Sequence, residues 1–283
     1  MQLKDETIDY AGSMDGWLAR QQGPTGVALR PRVDIHCHCL PALDDGPQTT
    51  AGWLALCRAL VADDVTVAVA TPHQLGRYDG RNSPAEIRLP VASLNALLLA
   101  EGMPVRVAPG ADVRIDERIP ALLERDEVMT LNDAGKYILM ELPHETFINP
   151  QPALPDVRTL GICVILTHPE QCERLARNPD LVLPWVEQGL VLQATAGSLL
   201  GRFGPLAEAA AWYWLSKGAI SLVASDAHDT VGRRPCMSQA MAAIASRLGA
   251  DAARRVCTDN PLGVLRGMEV GALSAGVAAG GGR

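Results

Sequence analysis

Histidine and carboxylate side chains recur at the ends of short apolar runs in this 283-residue sequence. In the segment 34–38 (DIHCH), the two-residue period of a strand places His36 and His38 on one face and Cys37 on the other. The segment 225–228 (SDAH) repeats this spacing with Asp226 and His228. The other polar residues at such ends are Asp45, His73, Asp112, Glu141 and His168. A cavity that gathers imidazoles and carboxylates favours divalent metal, because the ions would neutralise the carboxylates.

Imidazole and carboxylate donors without thiolate suit Mn, Fe or Zn, and the spacing does not choose among them. Cys37 and Cys39 have the C-x-C spacing of thiolate metal ligands. Because the strand period points Cys37 away from the histidines, the two are more simply interpreted as small buried hydrophobic residues. His144 follows a Leu-Pro pair and is interpreted as a surface histidine. None of the seven cysteines has an arginine six positions further on, which excludes a C-x5-R thiol phosphatase loop.

The elements that must position these residues alternate between strands and helices. Seven apolar or β-branched runs predict strands over 33–38, 65–72, 105–113, 137–142, 162–169, 190–194 and 220–225. Helical periodicity separates most of them, which is typical of βαβ units and a parallel sheet. Seven such units that close on themselves would form a TIM-like barrel one unit short, with its active site at the carboxyl ends of the strands.

The helical segments differ in clarity. A helix is predicted to begin at Thr49-Thr50, and others over 115–128, 205–216 and 238–248. The segment 83–101 is less regular, because Pro90 should interrupt or kink it. We expect one catalytic domain over 31–269, a loosely ordered extension over 1–30 and a flexible Gly/Ala-rich tail over 270–283.

Composition excludes several classes of protein. The 25 Lys+Arg against 32 Asp+Glu give a net charge of −7 without a basic run, which argues against nucleic acid as a partner. No stretch reaches the ~18 apolar residues of a membrane helix, and no secretory signal is visible. An odd number of scattered cysteines suits reduced thiols, so the sequence predicts a cytoplasmic protein.

These motifs carry a resemblance to the PHP (polymerase and histidinol phosphatase) superfamily. The segment 34–46 (DIHCHCLPALDDG) resembles the opening motif of its bacterial tyrosine-phosphatase branch from capsule and exopolysaccharide operons, the CpsB/YwqE type. Further matches follow in order at 70–73 (ATPH), 110–115 (GADVRI), 138–141 (ILME), 167–170 (THPE), 192–204 (LQATAGSLLGRFG), 224–228 (ASDAH) and 260–261 (NP). The likeness covers roughly residues 33–267.

The resemblance implies a single distorted (β/α)7 barrel with up to three divalent ions, usually Mn²⁺. By position, one ion would be held by His36, His38, Asp112 and Asp226. Asp112 would bridge to a second ion at Glu141 and His168, and the third would lie at Asp45, His73 and His228. Asp45 and Arg233 would also take part in catalysis, the arginine near the phosphate. The implied activity is hydrolysis of phosphotyrosine on a bacterial tyrosine kinase of polysaccharide export.

The chain also departs from the family pattern. Asp112 stands where the family usually has Glu, and Gln171 stands where an arginine would clamp the phosphate. Arg174 lies one helical turn further on if 170–176 is helical, and we hypothesise that it replaces the missing cation. Gln74 likewise replaces a second histidine after His73.

Two other functions stay open at this point. The chain could be a PHP phosphatase of a small metabolite, similar to histidinol phosphatase. It could instead be a weakly active or non-catalytic regulator that binds the kinase, which the departures at Asp112 and Gln171 would fit. The motif at 192–204 favours the tyrosine-phosphatase branch, and the retained imidazoles argue against the regulator. The oligomeric state is not readable from the sequence, so a homo-oligomer also stays open.

Overall fold

The structure is a computed structural model, and it describes residues 31–143 and 146–270. The predicted extension 1–30, the tail from residue 271 onward and His144 lie outside this part of the chain. The described strands are β1 (Val33–Cys37), β2 (Val67–Ala70), β3 (His73–Gln74), β4 (Arg106–Pro109), β5 (Asp112–Arg114), β6 (Tyr137–Glu141), β7 (Cys163–Thr167), β8 (Val191–Thr195) and β9 (Ile220–Ala224).

Every pairing between these strands is parallel. One sheet has the order β1-β2-β4, and the other has the order β3-β5-β6-β7-β8-β9. The chain passes from the first sheet to the second twice, from β2 to β3 and from β4 to β5. At the second passage a Cβ on Gly110 would lie 2.7 Å from Val69 Cγ1, so the close approach of the two segments requires glycine. The predicted α/β class with parallel strands is confirmed.

Helices connect the strands: α1 (Thr50–Ala62), α2 (Pro84–Ala100), α3 (Ile119–Glu124), α4 (Leu154–Thr159), α5 (Glu173–Arg177), α6 (Leu183–Glu187), α7 (Ala196–Leu199), α8 (Pro205–Ser216), α9 (Met237–Leu248), α10 (Ala250–Arg254) and α11 (Asn260–Leu265). The predicted start of α1 is confirmed, since the hydroxyl of Thr49 accepts a hydrogen bond from the backbone N–H of Gly52 at 3.1 Å. The helices α8 and α9 also match their predicted ranges within one residue.

Two helical predictions need correction. The helix predicted over 115–128 is only α3, because the Asp116 carboxylate accepts from the Arg118 backbone N–H at 2.8 Å and Asp126 takes a left-handed conformation. Pro90 lies inside a continuous α2 rather than interrupting it. A capping box between Ser83 and Glu86 fixes the start of α2, and its buried face, which includes Ile87, packs on the core.

The apolar core has two layers. An inner cluster joins alternate residues of the strands, among them Val33, Ile35 and Leu139. An outer cluster packs the strands against the helices and contains the fully buried Trp53 and Trp214. The tryptophans thus serve helix packing. Across the described ranges, no helix combines the length and apolarity that a bilayer span would need.

Candidate metal centre

The register of the second sheet brings polar residues together at its carboxyl edge. Asp112 on β5 lies opposite His73 on β3 and opposite the apolar Leu139 on β6. Arg114, two residues further along β5, pairs with Glu141 on β6. Because strand residues two apart share a face, Asp112 and Arg114 both point to the side where His73 and Glu141 lie. The sheet therefore positions these side chains.

All nine predicted metal ligands converge in this region. They form four overlapping groups whose donor atoms lie within 4.8 Å of one another: His38, Asp45, His73 and His228; His36, His38 and Asp226; His36, Asp112 and His168; and His73, Asp112 and Glu141. Most of these side chains are buried, so water screens their charges weakly. Cys37 and Cys39 are fully buried free thiols and belong to none of these groups.

Asp112 lies at the centre of the cluster. Its Oδ2 lies 3.5 Å from Nδ1 of His73, 3.7 Å from Nε2 of His36 and 3.9 Å from Nε2 of His168. The shorter carboxylate therefore still reaches imidazoles from three strand ends, despite lacking the methylene of a glutamate. His73 also lies 3.6 Å from Oε2 of Glu141, which places it in two groups rather than one.

The two histidines at the end of β1, His36 and His38, face the carboxylate of Asp226, which follows the last strand. Nε2 of His36 and Nε2 of His38 lie 3.0 Å apart, and each is 3.4 to 3.5 Å from Oδ1 of Asp226. The Gln193 side-chain oxygen accepts a hydrogen bond from Nδ1 of His36 at 2.8 Å, and Asp44 Oδ2 accepts from Nδ1 of His38 at 2.6 Å. With both protons held on Nδ1, the two Nε2 lone pairs face each other, which favours a cation between them.

The outermost group surrounds Asp45. Its Oδ1 lies 3.6 Å from Nε2 of His73 and 3.5 Å from Nε2 of His228. Nδ1 of His228 bonds the backbone oxygen of Asp226 at 3.0 Å, so its Nε2 is the atom turned toward Asp45. Asp45 is 42% exposed, whereas Asp112 and Asp226 are fully buried, so this group opens to solvent.

Sequence reasoning missed three positioning residues. Asp44 holds His38 and also accepts from the backbone N–H of His73 at 3.1 Å, so one carboxylate fixes two candidate ligands. Gln193 fixes His36, and Asp34 accepts from the backbone N–H and hydroxyl of Ser225 and so joins β1 to the end of β9. Asp44 carried a readable signal, since it precedes Asp45 in the same Asp-Asp-Gly motif.

The loop that carries Asp44 and Asp45 turns tightly against β1. A Cβ on Gly46 would lie 2.2 Å from the backbone oxygen of His38, so no other residue fits without displacing the loop. Two ligand candidates take strained backbone conformations. His168 has φ 32° and Asp226 has φ 54°, both unusual for residues with a Cβ. Such conformations cluster at functional sites, where the surrounding structure compensates their cost.

Charge interactions in the cluster shift the pKa values of its members. Burial and the neighbouring His228 and His73 hold the pKa of His38 well below its ordinary value. Burial alone would lower the pKa of His73, but Asp112 and Glu141 outweigh it and raise this pKa to about 9. Burial and the nearby Asp112 raise the pKa of Glu141 to about 7. The metal-free site at pH 7 therefore holds exchangeable protons.

Binding of a divalent ion should therefore release protons in a pH-dependent way. His73 keeps its extra proton below about pH 9 and Glu141 begins to lose its proton near pH 7, and both must yield them to serve as ligands. We expect release of about two protons at pH 6 and about one at pH 8, with affinity rising over this interval. Calorimetric titration of chelator-treated protein with Mn²⁺, in buffers of different ionisation enthalpy, measures this number. Equal affinity at pH 6 and pH 8 would contradict the assignment.

Asp44 should control metal affinity without touching the metal. Asp44→Asn removes the charge that orients His38, and loss of such a partner weakens metal binding by about 10- to 100-fold. Asp79→Asn is the matched control, because Asp79 is half-exposed and forms an ion pair with Arg118 at 3.1 Å rather than with a candidate ligand. Competition with a fluorescent chelator measures both affinities. The same affinity in the two variants would remove Asp44 from the site.

The donor set fits divalent metal on two further observations. Asp112 Oδ2 and Asp226 Oδ1 are buried and receive no hydrogen bond from any residue in the described ranges. A guanidinium also lies where candidate ligands converge, since Arg233 donates to Asp226 Oδ2 at 2.5 Å and approaches His228 Nε2 at 2.9 Å. Buried carboxylates without hydrogen bonds, and an imidazole nitrogen in contact with a guanidinium, are the features expected of ligands.

The arginines around the cluster differ in position. Arg233 lies at the cluster, on a turn in which Asp229 accepts hydrogen bonds from three successive backbone N–H groups. Arg174 is exposed and lies over the ring of Phe147, 5.1 Å from its centroid. The condition that 170–176 is one helix is not met, because Cys172 is extended and separates a short 3₁₀ turn from α5. No contact between Arg174 and a candidate ligand occurs among the described residues.

The fold and the site together define the class of this protein. It is an α/β protein with parallel strands, and imidazoles and carboxylates gather at its strand ends. The chain belongs to the CpsB/CapC family: the family model described as "Capsular polysaccharide synthesis, CpsB/CapC" matches residues 32–266. The predicted resemblance to the CpsB/YwqE type is thereby confirmed.

Curated relatives carry consistent names. The chain is 34% identical over 221 residues to the tyrosine-protein phosphatase YwqE of Bacillus subtilis (strain 168), a match that covers 77% of this chain and 86% of the relative. It is 28% identical over 237 residues to the tyrosine-protein phosphatase CpsB of Streptococcus pneumoniae, covering 81% and 96%.

Solved structures agree. A chain from the crystal structures of YwqE and CpsB, which are described as unique metal-dependent tyrosine phosphatases, is 32% identical with a TM-score of 0.81. That match covers 85% of this chain and 97% of the other. A β-aspartyl dipeptidase of Fervidobacterium islandicum, 15% identical with a TM-score of 0.53 over 89% of this chain and 76% of the other, shares the fold alone.

Proposed function

We propose that this chain is a metal-dependent protein-tyrosine phosphatase. The observation that carries the proposal is the convergence of five imidazoles and four carboxylates at one edge of the sheets, with Arg233 against them. The names of the relatives YwqE and CpsB support the reaction class. The substrate is a phosphotyrosine protein, in our proposal a bacterial tyrosine kinase of polysaccharide synthesis, and the protein acts in the cytoplasm.

Each group of donors has a role in the proposal. His36, His38, Asp112 and Asp226 would hold one divalent ion, Asp112 with Glu141 and His168 would hold a second, and Asp45, His73 and His228 would hold a third. His73 supports the second ion as well, since its Nδ1 faces Asp112 and Glu141. We propose Mn²⁺ as the metal, with Fe or Zn compatible with the same donors. When bound, such ions acidify a water molecule and neutralise the oxygens of the phosphate.

The protein's own residues would orient the substrate and the ligands. Asp44 and Gln193 hold the two histidines at the end of β1 in fixed tautomers, so those rings are oriented before a substrate arrives. Arg233 supplies a guanidinium that can donate two parallel hydrogen bonds to a phosphate. Arg114 forms an ion pair with Glu141, with 2.9 Å between Nη2 and Oε2, and limits the movement of that carboxylate.

We also propose that the two sheets form one distorted (β/α)7 barrel, within a catalytic domain over 31–269. Two backbone hydrogen bonds support closure between β1 and the segment after β9. His38 N–H donates to the Ala227 oxygen at 2.8 Å, and Asp226 N–H donates to the His36 oxygen at 2.9 Å. Closure would explain why candidate ligands from the first and last strands lie side by side.

A protein substrate is favoured over a small metabolite by a cleft that begins where β5 ends. A cleft of about 610 Å³ begins at Ile115, directly after Arg114, and extends to Ile148 and Asp156 at the start of the next unit. Such a cleft has room for residues that flank a phosphotyrosine, which a small phosphate ester does not have. The candidate cluster itself would serve either substrate.

The proposal is tested by turnover of a phosphotyrosine peptide, histidinol phosphate and p-nitrophenyl phosphate after Mn²⁺ loading. We expect kcat/KM for the peptide to exceed that for histidinol phosphate by at least about 100-fold. A preference for histidinol phosphate would reassign the chain to small-metabolite phosphatases. Two or more ions per chain without turnover of any of the three would identify the kinase-binding regulator instead.

A further inference from the structure

A rigid turn follows β3 at the mouth of the cluster. Leu75 and Gly76 both have left-handed backbone conformations, with φ 63° and 57°. The backbone N–H of Tyr78 donates to the oxygen of Leu75 at 3.0 Å, which closes the turn. A Cβ on Gly76 would lie 3.0 Å from Cγ of Arg114, so the turn packs directly on the arginine that contacts Glu141. The turn therefore has a fixed place beside the candidate ligands.

Side chains at both ends of this segment hold it in place. Gln74, the residue that replaces a histidine of the family pattern, is buried, donates to the Asn82 oxygen at 2.7 Å and accepts from the Met129 N–H at 2.9 Å. Asn82 in turn donates to the backbone oxygen of His73 at 2.9 Å. Gln74 thus has a structural role, although it differs from the family pattern. Together with Asn82 it fixes both ends of the segment 75–81.

Arg77 is at the tip of the turn and faces the outermost donor group. Its guanidinium donates to Asp45 Oδ2 at 3.1 Å, while Oδ1 of the same carboxylate faces His73 and His228. Arg77 also lies over the ring of Tyr78, 4.9 Å from its centroid, and that ring stacks on His73 at 5.5 Å. Contact with the ring limits where the guanidinium can move, although the side chain is 64% exposed.

We propose that Arg77 binds the phosphate of the substrate. It would supply the positive charge of the family's arginine, which this chain replaces with Gln171. This inference rests on the proposed phosphatase function. Gln171 instead donates to the hydroxyl of Thr195 at 3.2 Å, and Arg174 is engaged with Phe147. The ion pair between Arg77 and Asp45 joins two exposed groups, and such pairs contribute only about 0.2–1 kcal/mol. The guanidinium can therefore exchange Asp45 for a phosphate, which accepts two hydrogen bonds from it.

A phosphate is a better partner for Arg77 than a carboxylate elsewhere on the substrate. Asp45 Oδ2, its present partner, belongs to a candidate ligand of the outermost group, so the guanidinium already reaches the edge of that group. Arg233 approaches the same group through His228 at 2.9 Å. Arg77 at Asp45 and Arg233 at His228 therefore both reach the outermost group, where the reacting phosphate would bind.

The test is calorimetric binding of inorganic phosphate to Mn²⁺-loaded protein, for the wild type, Arg77→Ala and Arg77→Lys. The control is Arg58→Ala. Arg58 lies on α1 outside the cluster, is 59% exposed and forms an ion pair with Glu101 at 3.4 Å. We expect Arg77→Ala to raise the Kd of phosphate about tenfold, Arg77→Lys to raise it less, and the control to leave it unchanged. The KM for p-nitrophenyl phosphate should rise in parallel, while kcat changes less.

Four results would overturn the inference. These are an unchanged phosphate Kd in Arg77→Ala, an equal increase in the control, loss of bound Mn²⁺ from Arg77→Ala, or a KM increase confined to phosphopeptides with acidic flanks. The third result would mean that Arg77 acts only through Asp45, and the fourth that it binds a carboxylate. Because phosphate binding needs no turnover, an inactive wild type would refute the proposed function and still leave Arg77 tested.

Discussion

Asp112→Asn is expected to lower kcat/KM for a phosphotyrosine peptide by about 1000-fold and to reduce the metal content per chain, since we propose that this one carboxylate holds two ions. Oδ2 of Asp112 faces three imidazole nitrogens at 3.5 to 3.9 Å and has no hydrogen bond from the described chain. His36, His73 and His168 hold the pKa of Asp112 well below its ordinary value, against the effect of burial, so the group is ionised at neutral pH. An amide keeps the shape of the side chain and removes its charge.

Two further variants show whether the loss is specific. Asp112→Glu keeps the charge and restores the residue usual in the family, so it should retain more metal than Asp112→Asn. Asp126→Asn is the control, because Asp126 is exposed and accepts hydrogen bonds from Arg88 rather than contacting a candidate ligand. Elemental analysis and peptide hydrolysis, with circular dichroism to confirm folding, measure the effect. Full metal content and activity within tenfold of wild type in Asp112→Asn would contradict the bridging role.

Arg233→Ala is expected to lower kcat/KM about 100-fold for both a phosphotyrosine peptide and p-nitrophenyl phosphate, as for loss of a charged donor to the transferring group. The guanidinium contacts Asp226 and His228, and the turn from Asp229 holds its backbone in place. The divalent ions that we assign to Asp226 and to His228 would compete with the guanidinium for these residues, which leaves it available to a phosphate. The metal content of this variant should therefore equal or exceed that of wild type.

Arg174→Ala is the matched comparison for Arg233→Ala. Arg174 is exposed on α5 and contacts Phe147, so we expect kcat/KM within about twofold of wild type, as for most surface substitutions. The sequence-based hypothesis makes the opposite prediction for Arg174. A large loss in Arg174→Ala, or a loss in Arg233→Ala that is accompanied by loss of metal, would require a different assignment of the phosphate-binding residues.

Much of the site was predictable because its signals are local. The strand period in the segment 34–38 and the position of each polar residue after an apolar run were enough to select nine side chains that converge in space. What could not be read were contacts across the sheet. Gln193 on β8 contacts His36 on β1, and Asp34 on β1 contacts Ser225 directly after β9. Both pairs are far apart in the sequence, so no spacing reveals them.

The errors in the sequence analysis have local causes. Helical spacing placed Arg174 one turn from Glu170, but Cys172 is extended and changes the direction of the chain between them. Arg77 was not selected, because nothing in its spacing shows that the turn after β3 folds back toward Asp45. Both cases depend on single backbone conformations in loops, where a change at one residue reorients the side chains that follow.

The most direct test of the central claim is chelation and metal restoration on the purified wild-type protein, with phosphotyrosine-peptide hydrolysis followed throughout. We expect two or three divalent ions per chain, loss of activity when a chelator removes them, and recovery when Mn²⁺ is returned. The variant His36→Ala should bind fewer ions and recover little activity. Peptide hydrolysis that continues undiminished in protein stripped of divalent ions would contradict the account.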